Sequence, residues 1–143
     1  MRVLLDVNIY LSYLLKPETE SAIARVVEAG ILGDYTPVTP KALWDELENV
    51  VQRKPYLRER ITPEQMHRLR SIIGAVAELT PEITAPIPRV TRDPKDDYLL
   101  AHAVLDDVDY LVTGDEDLLA LREISPVRIL TPRAFVRVLE QSL

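Results

Sequence analysis

The chain has 143 residues, 47% of them hydrophobic, which suits one domain (1–143) built around one core and excludes disorder. Its net charge of −6 and its pI near 4.9 count against the nucleic-acid-binding class, whose members are normally basic. The absence of Cys excludes disulfides, thiolate metal sites and Cys nucleophiles, and two His (His67 and His102) leave little for imidazole chemistry.

No apolar run approaches the length of a membrane span, and Asp6 interrupts the N-terminus too early for a signal peptide, so the expected compartment is the cytoplasm. Residues Arg2–Asp6 carry Val3, Leu4 and Leu5 in a row and read as a buried strand. A helix is expected over 7–15. Thr19 is expected to begin a second, since Ala22, Ile23, Val26 and Val27 keep helical spacing and Gly30 ends it. Asp34–Thr39 reads as a second strand. Thr39-Pro40 reads as a helix start, a capping hydroxyl before Pro in the first turn, and that helix runs to Arg53, where Lys54-Pro55 breaks it. Thr62-Pro63 starts another, expected through Glu78. Residues 79–90 hold Pro81, Pro86 and Pro88 and are expected to be extended but poor in strand. Asp93-Pro94 opens a helix to Asp106, Tyr110–Thr113 is a strand, and Asp115–Leu121 is a short helix. Val127–Leu130 is a last strand, and Thr131-Pro132 starts the final helix. Strands alternating with helices imply a parallel sheet covered on both faces.

In such folds ligands bind beyond the carboxyl ends of the strands. Asp6 ends the first strand there, and Asp115 follows the strand YLVT across one Gly, although an Asp in that place also caps helices. Two helical acids join them. Leu43, Leu47 and Val50 mark the apolar stripe of the third helix; Glu46 lies on its edge, while Asp45 and Glu48 point to solvent. Asp96 faces inward at the first turn of its helix, and Asp97 is expected to be exposed. Carboxylates turned toward a core are costly unless paired or metal-bound. Four of them without Cys make a hard all-oxygen site that prefers Mg²⁺ or Mn²⁺, and acidic metal clusters of this kind serve phosphodiester hydrolysis. Without metal the crowded carboxylates repel one another, so neutralising Glu46 is expected to stabilise the metal-free chain.

The segments LLDVNIYLS, ELENVVQR, RDPKDDYLLAHA and DYLVTGDEDLL, in this order and through nearly the whole chain, resemble the PIN-domain ribonucleases, with the toxins of toxin–antitoxin pairs as the nearest branch. The resemblance implies a three-layer α/β/α sandwich with a four- or five-stranded parallel sheet, and a metal-dependent endoribonuclease that forms homodimers and is blocked by a cognate antitoxin. It places Asp6, Glu46, Asp96 and Asp115 at the family's four acidic metal-binding positions and Asp117 at a further acidic one. Asn8 and Thr113 match polar residues beside the site that orient water or phosphate. Asp97 stands where many relatives have Asn.

RNA needs positive surface. From Arg53 to Arg70 the chain holds six basic residues (Arg53, Lys54, Arg58, Arg60, Arg68, Arg70) against the two acids Glu59 and Glu64, a net of +4, which leaves −10 on the rest. This segment reads either as an RNA-binding arm or as a solvated helical surface. Two competing functions are weighed. A haloacid-dehalogenase-like phosphatase wants Asp at position 8, where Asn8 stands, and a late lysine, whereas none follows Lys95. A PIN-like scaffold that only binds RNA or protein would have lost one of the four acids. Trp44 is expected to be partly buried, His102 to be a surface residue off the apolar arc, and Tyr10, Tyr13 and Leu14 to serve either core packing or a dimer face.

Overall fold

The structure is a computed structural model and describes residues 1–16 and 20–142. Strand β1 (Arg2–Leu5) passes directly into α1 (Val7–Leu15) through the single residue Asp6, which is extended at φ −64°, ψ 152°. Helix α2 (Ala22–Ile31) is capped by Ser21, whose hydroxyl accepts from the Ala24 N–H at 3.1 Å. The expected helix start, Thr19, lies outside the described residues. Strand β2 (Thr36–Pro40) likewise runs straight into α3 (Lys41–Arg53). Pro40, not Thr39, takes the N-cap position. Thr39 remains in the strand and is buried, so its hydroxyl caps nothing.

Lys54-Pro55 ends α3 as expected, but Pro55, preset for a first helical turn, opens a further short helix, α4 (Pro55–Arg60). Helix α5 (Pro63–Gly74) has a reciprocal cap. The Thr62 hydroxyl accepts from the Gln65 N–H at 3.1 Å, and the Gln65 side chain accepts from the Thr62 N–H at 2.9 Å. It stops at Gly74 rather than Glu78, because residues Glu78–Thr80 leave the helix to form β3. Then follow α6 (Pro94–Leu105), β4 (Tyr110–Val112), α7 (Glu116–Leu119), β5 (Glu123–Ile124), β6 (Val127–Leu130) and α8 (Pro132–Ser142).

The sheet order is β3-β2-β1-β4-β6-β5. Five strands are parallel, with Leu5 beside Val112 and Val38 beside Glu78, and the two-residue β5 pairs antiparallel with β6 at the edge. Helices flank the sheet, giving the expected three-layer architecture. Val3, Leu4, Leu5, Leu111 and Val112 are almost wholly buried, as strands covered on both faces must be. Between α2 and the sheet, the Tyr35 hydroxyl donates to the Val26 carbonyl at 2.7 Å, and its ring meets Phe135 edge-on at 5.3 Å. A Cβ on Gly30 would stand 2.7 Å from that hydroxyl, so only glycine lets the two elements close this far. Tyr10 is fully buried against Trp44, with ring centroids 5.4 Å apart. It belongs to the core, not to a dimer face, and Trp44 is more completely buried than its sequence position suggests.

The connectivity fixes where a site can form. From β1 the chain adds β2 and β3 on one side, then returns to place β4 and β6 on the other. The strand order therefore reverses between β1 and β4, and the carboxyl ends of these two neighbours flank the crevice where α/β sheets bind ligands.

Candidate active site

Asp6 and Thr113 stand at that reversal point. The Asp6 N–H continues the β1–β4 ladder by donating to the Val112 carbonyl at 2.9 Å. Its carboxylate is 8% exposed and accepts from the Thr113 hydroxyl at 2.7 Å. The same hydroxyl accepts from the Asp115 N–H at 3.0 Å, so one buried threonine ties both acidic strand ends together. Burial pushes the Asp6 carboxyl above its usual range. The Thr113 bond and the backbone N–H groups of Val7 and Asn8 oppose this, and Asp115 adds to it. Asn8 is exposed beside Asp6 on the first turn of α1.

Asp115 is half-buried and caps α7: one carboxylate oxygen accepts from Asp117 N–H at 2.8 Å and Leu118 N–H at 3.4 Å. Capping and site placement coexist, because its cap lies at the carboxyl edge of β4. Asp117 is exposed and held by Arg92, which reaches both of its oxygens at 2.9 and 3.0 Å.

On α6 the two adjacent acids separate. Asp96 is half-buried and lines the cavity. Its pKa is raised to about 7, first by burial and then by the charges of Asp115, Asp93, Asp6 and Asp117. Asp97, expected at the surface, is instead buried. It turns away from the cavity and accepts from the Val90 and Thr91 N–H groups at 3.0 and 2.7 Å, bonds that hold its pKa low. Its task is to fasten residues 90–91 to α6, which places Arg92 and Asp93 at the cavity rim.

Glu46 lies on α3 across the cavity, with its side chain 28% exposed, and its carboxylate binds the Lys95 ammonium at 2.9 Å. Asp45 and Glu48 are exposed, as the helical phase predicts. The cavity, about 480 Å³, continues from the acids along the groove between α3 and α6, past Leu43, Val50, Tyr98 and Leu99, to Arg53 and Lys54 at its far end. Of the six basic residues in the 53–70 segment these two line it. Arg60 stacks over Tyr56, Arg70 lies over Trp44, and Arg58 and Arg68 are exposed elsewhere. His102, expected at the surface, is buried beside the groove. Asp106 one turn on accepts or shares its Nδ1 proton at 2.9 Å and also accepts from Thr80, which makes its burial tolerable.

Tyr98, Leu99 and His102 are groove residues that were not expected there, although with Lys95 their i, i+3, i+4, i+7 spacing puts them on one face of α6. The donor set suits a hard divalent cation: carboxylate oxygens, no sulfur, and like charges whose repulsion among the described residues is relieved only by Lys95 at Glu46 and Arg92 at Asp117. Among the described residues, however, no three acidic or imidazole side chains are gathered tightly enough to enclose an ion. Glu46 is turned to Lys95, and an oxygen of Asp115 is turned to its cap.

Comparison with known proteins bears on the fold. The family model for the PIN domain matches residues 2–117. Among solved structures the fold is similar to a chain of VapBC2 from Rickettsia felis, whose crystal structure has it bound to a DNA fragment from its promoter; the TM-score is 0.59 at 15% identity, over 92% of this chain and 98% of that one. No curated protein matches in sequence.

The electrostatics move the expected stabilising substitution from Glu46, which is paired, to Asp96, which is not. A carboxyl whose folded pKa is raised from 3.8 to about 7 favours folding while protonated, and this contribution is lost as pH rises across that interval. Asp96→Asn is therefore expected to stabilise the metal-free protein at pH 8 by on the order of 1 kcal/mol, allowing for solvent screening, or about 3 °C in Tm. Thermal melts should show the gain shrinking at pH 5. A gain that is the same at both pH values would mean that charge repulsion is not its source.

Proposed function

Since the chain belongs to the PIN-domain family, we propose that it is a metal-dependent endoribonuclease, the toxin of a toxin–antitoxin pair. The observation that carries this reading is the cluster of Asp6, Asp96 and Asp115 along one cavity at the reversal point of the sheet, where burial first and the neighbouring acids second raise the Asp96 carboxyl to a pKa of about 7. Crowded carboxylates without soft ligands are what a Mg²⁺ or Mn²⁺ site requires. Asp6, Glu46, Asp96 and Asp115 would hold the ion, with Asp117 at the rim. A divalent cation there supplies charge neutralisation at the phosphodiester and lowers the pKa of an attacking water.

The chain's own residues do the rest. Thr113 fixes one Asp6 oxygen and leaves the other for the site. Asn8, exposed beside Asp6, offers an amide to orient water or a phosphate oxygen. Arg53 and Lys54 stand seven and eight residues beyond Glu46 on α3, roughly 10–12 Å along the helix, a suitable distance for holding the RNA backbone beyond the scissile bond. Arg58, Arg60, Arg68 and Arg70 extend the positive surface outside the groove and make the more distant contacts. Within this reading residues 1–143 act as one domain, the protein works in the cytoplasm as a homodimer, and a cognate antitoxin covers the groove. The similarity to a chain of VapBC2 supports that partner. Among the described residues no helix is long and apolar enough to cross a membrane. Asn8 in place of the second Asp, together with the family match, leaves the phosphatase reading without support.

The decisive assay is RNA cleavage with and without divalent ions. Activity is expected with Mg²⁺ or Mn²⁺ and none in EDTA. Glu46→Gln should reduce it by at least about 100-fold, while Glu48→Gln, on the solvent side, stays near wild type. Full activity in EDTA refutes the metal mechanism, and metal binding without cleavage of any RNA would identify a scaffold.

Binding is checked separately. Arg53→Gln together with Lys54→Gln should weaken RNA binding and lower the slope of log K against log salt by about 1.4, the value for two lost contacts to a single strand. Arg68→Gln, away from the groove, should change both less.

A further inference from the structure

Among the described residues, Lys95 is the one basic residue lining the groove whose side chain sits on an acid assigned to the metal site. It occupies the second position of α6, next to Asp96, and spans the cavity to Glu46 on α3 at 2.9 Å. Both partners are partly exposed, 56% and 28%, so the pair can open at little cost. Among the described residues no other acid of the cluster has such a partner within the cavity: Asp6 is bonded to Thr113, Asp115 to backbone N–H groups, and Asp117 to Arg92 outside the cavity lining. Asp96 takes part in no ion pair among the described residues. The Lys95 ammonium therefore neutralises Glu46 and not Asp6, Asp96 or Asp115.

We propose that Lys95 is a built-in competitor for the divalent ion: it holds Glu46 out of the site until the ion displaces it. This rests on the metal-site reading above and deepens it. Glu46 can serve the ammonium or the metal, but the two cations repel at that separation. Metal binding thus includes breaking the Lys95–Glu46 pair, and the pair sets how much divalent ion is needed to fill the site.

The test is Mn²⁺ titration calorimetry on the whole protein without RNA. Lys95→Met keeps the length of the side chain and removes its charge; it should tighten Mn²⁺ binding by about threefold to tenfold. Lys95→Arg keeps the charge and should stay near wild type. In a Glu46→Gln background most of the Lys95→Met gain should disappear, because the acid being contested is gone. Unchanged or weaker binding by Lys95→Met, with wild type still binding Mn²⁺, overturns the competitor role and leaves the metal site standing. An undiminished gain in the Glu46→Gln background also overturns it, by showing only general repulsion. If neither wild type nor any variant binds Mn²⁺, the metal reading fails and the competitor fails with it. Lys95 lies on an exposed helix turn, and circular dichroism checks that each variant folds.

Discussion

The hydrogen bond from Thr113 to Asp6 joins the two strands between which the sheet reverses direction, and the remainder of the site is arranged around it. That bond, with the backbone N–H groups of Val7 and Asn8, opposes the cost of burying a carboxylate only 8% exposed. With it, Asp6 is oriented, and Thr113 in turn holds the Asp115 N–H and so the start of α7. A buried polar contact of this kind adds little net stability, but breaking it leaves a charged group unsatisfied, which is much more costly. The same geometry that makes the strand end tolerable thus fixes two acids relative to each other.

The rest of the cluster shows a balance between order and repulsion. Asp6, Asp115 and Glu46 each have a structural partner as well as a place in the cavity, namely Thr113, the α7 cap and the Lys95 ammonium, while Asp117, outside the cavity lining, is held by the Arg92 guanidinium. Among the described residues Asp96 has none, and burial, followed by the charges of its neighbours, raises its pKa to about 7. The site is preorganised in backbone position but not in charge. A cation completes it, while the apolar stretch of groove and the basic pair at its far end give an elongated anion somewhere to lie.

Much of this was legible in the sequence because its signals are local. The Pro residues at 63, 94 and 132 mark true helix starts, Val3-Leu4-Leu5 is a buried strand, and the phase of α3 separates Glu46 from Glu48 correctly. What was missed depends on partners far along the chain or outside the helix. Strand β3 is three residues long at a sheet edge, mostly exposed, and carries no apolar pattern. Asp97 and His102 were assigned to the surface because a helical projection describes one helix alone. It cannot show that residues 90–91 fold back over α6, or that Asp106 supplies an acceptor for a buried imidazole. The Lys95–Glu46 pair joins residues 49 apart, which no local periodicity can reveal.

The account stands on one claim, that acids from β1, α3, α6 and the end of β4 share a divalent ion. Anomalous diffraction at the manganese edge, on crystals of this protein soaked in Mn²⁺ near pH 7.5, locates such an ion directly. The account predicts a peak among the carboxylates of Asp6, Asp96 and Asp115, with Glu46 released from Lys95. Saturating Mn²⁺ with no peak in the cavity, and Glu46 still bound to Lys95, would contradict it.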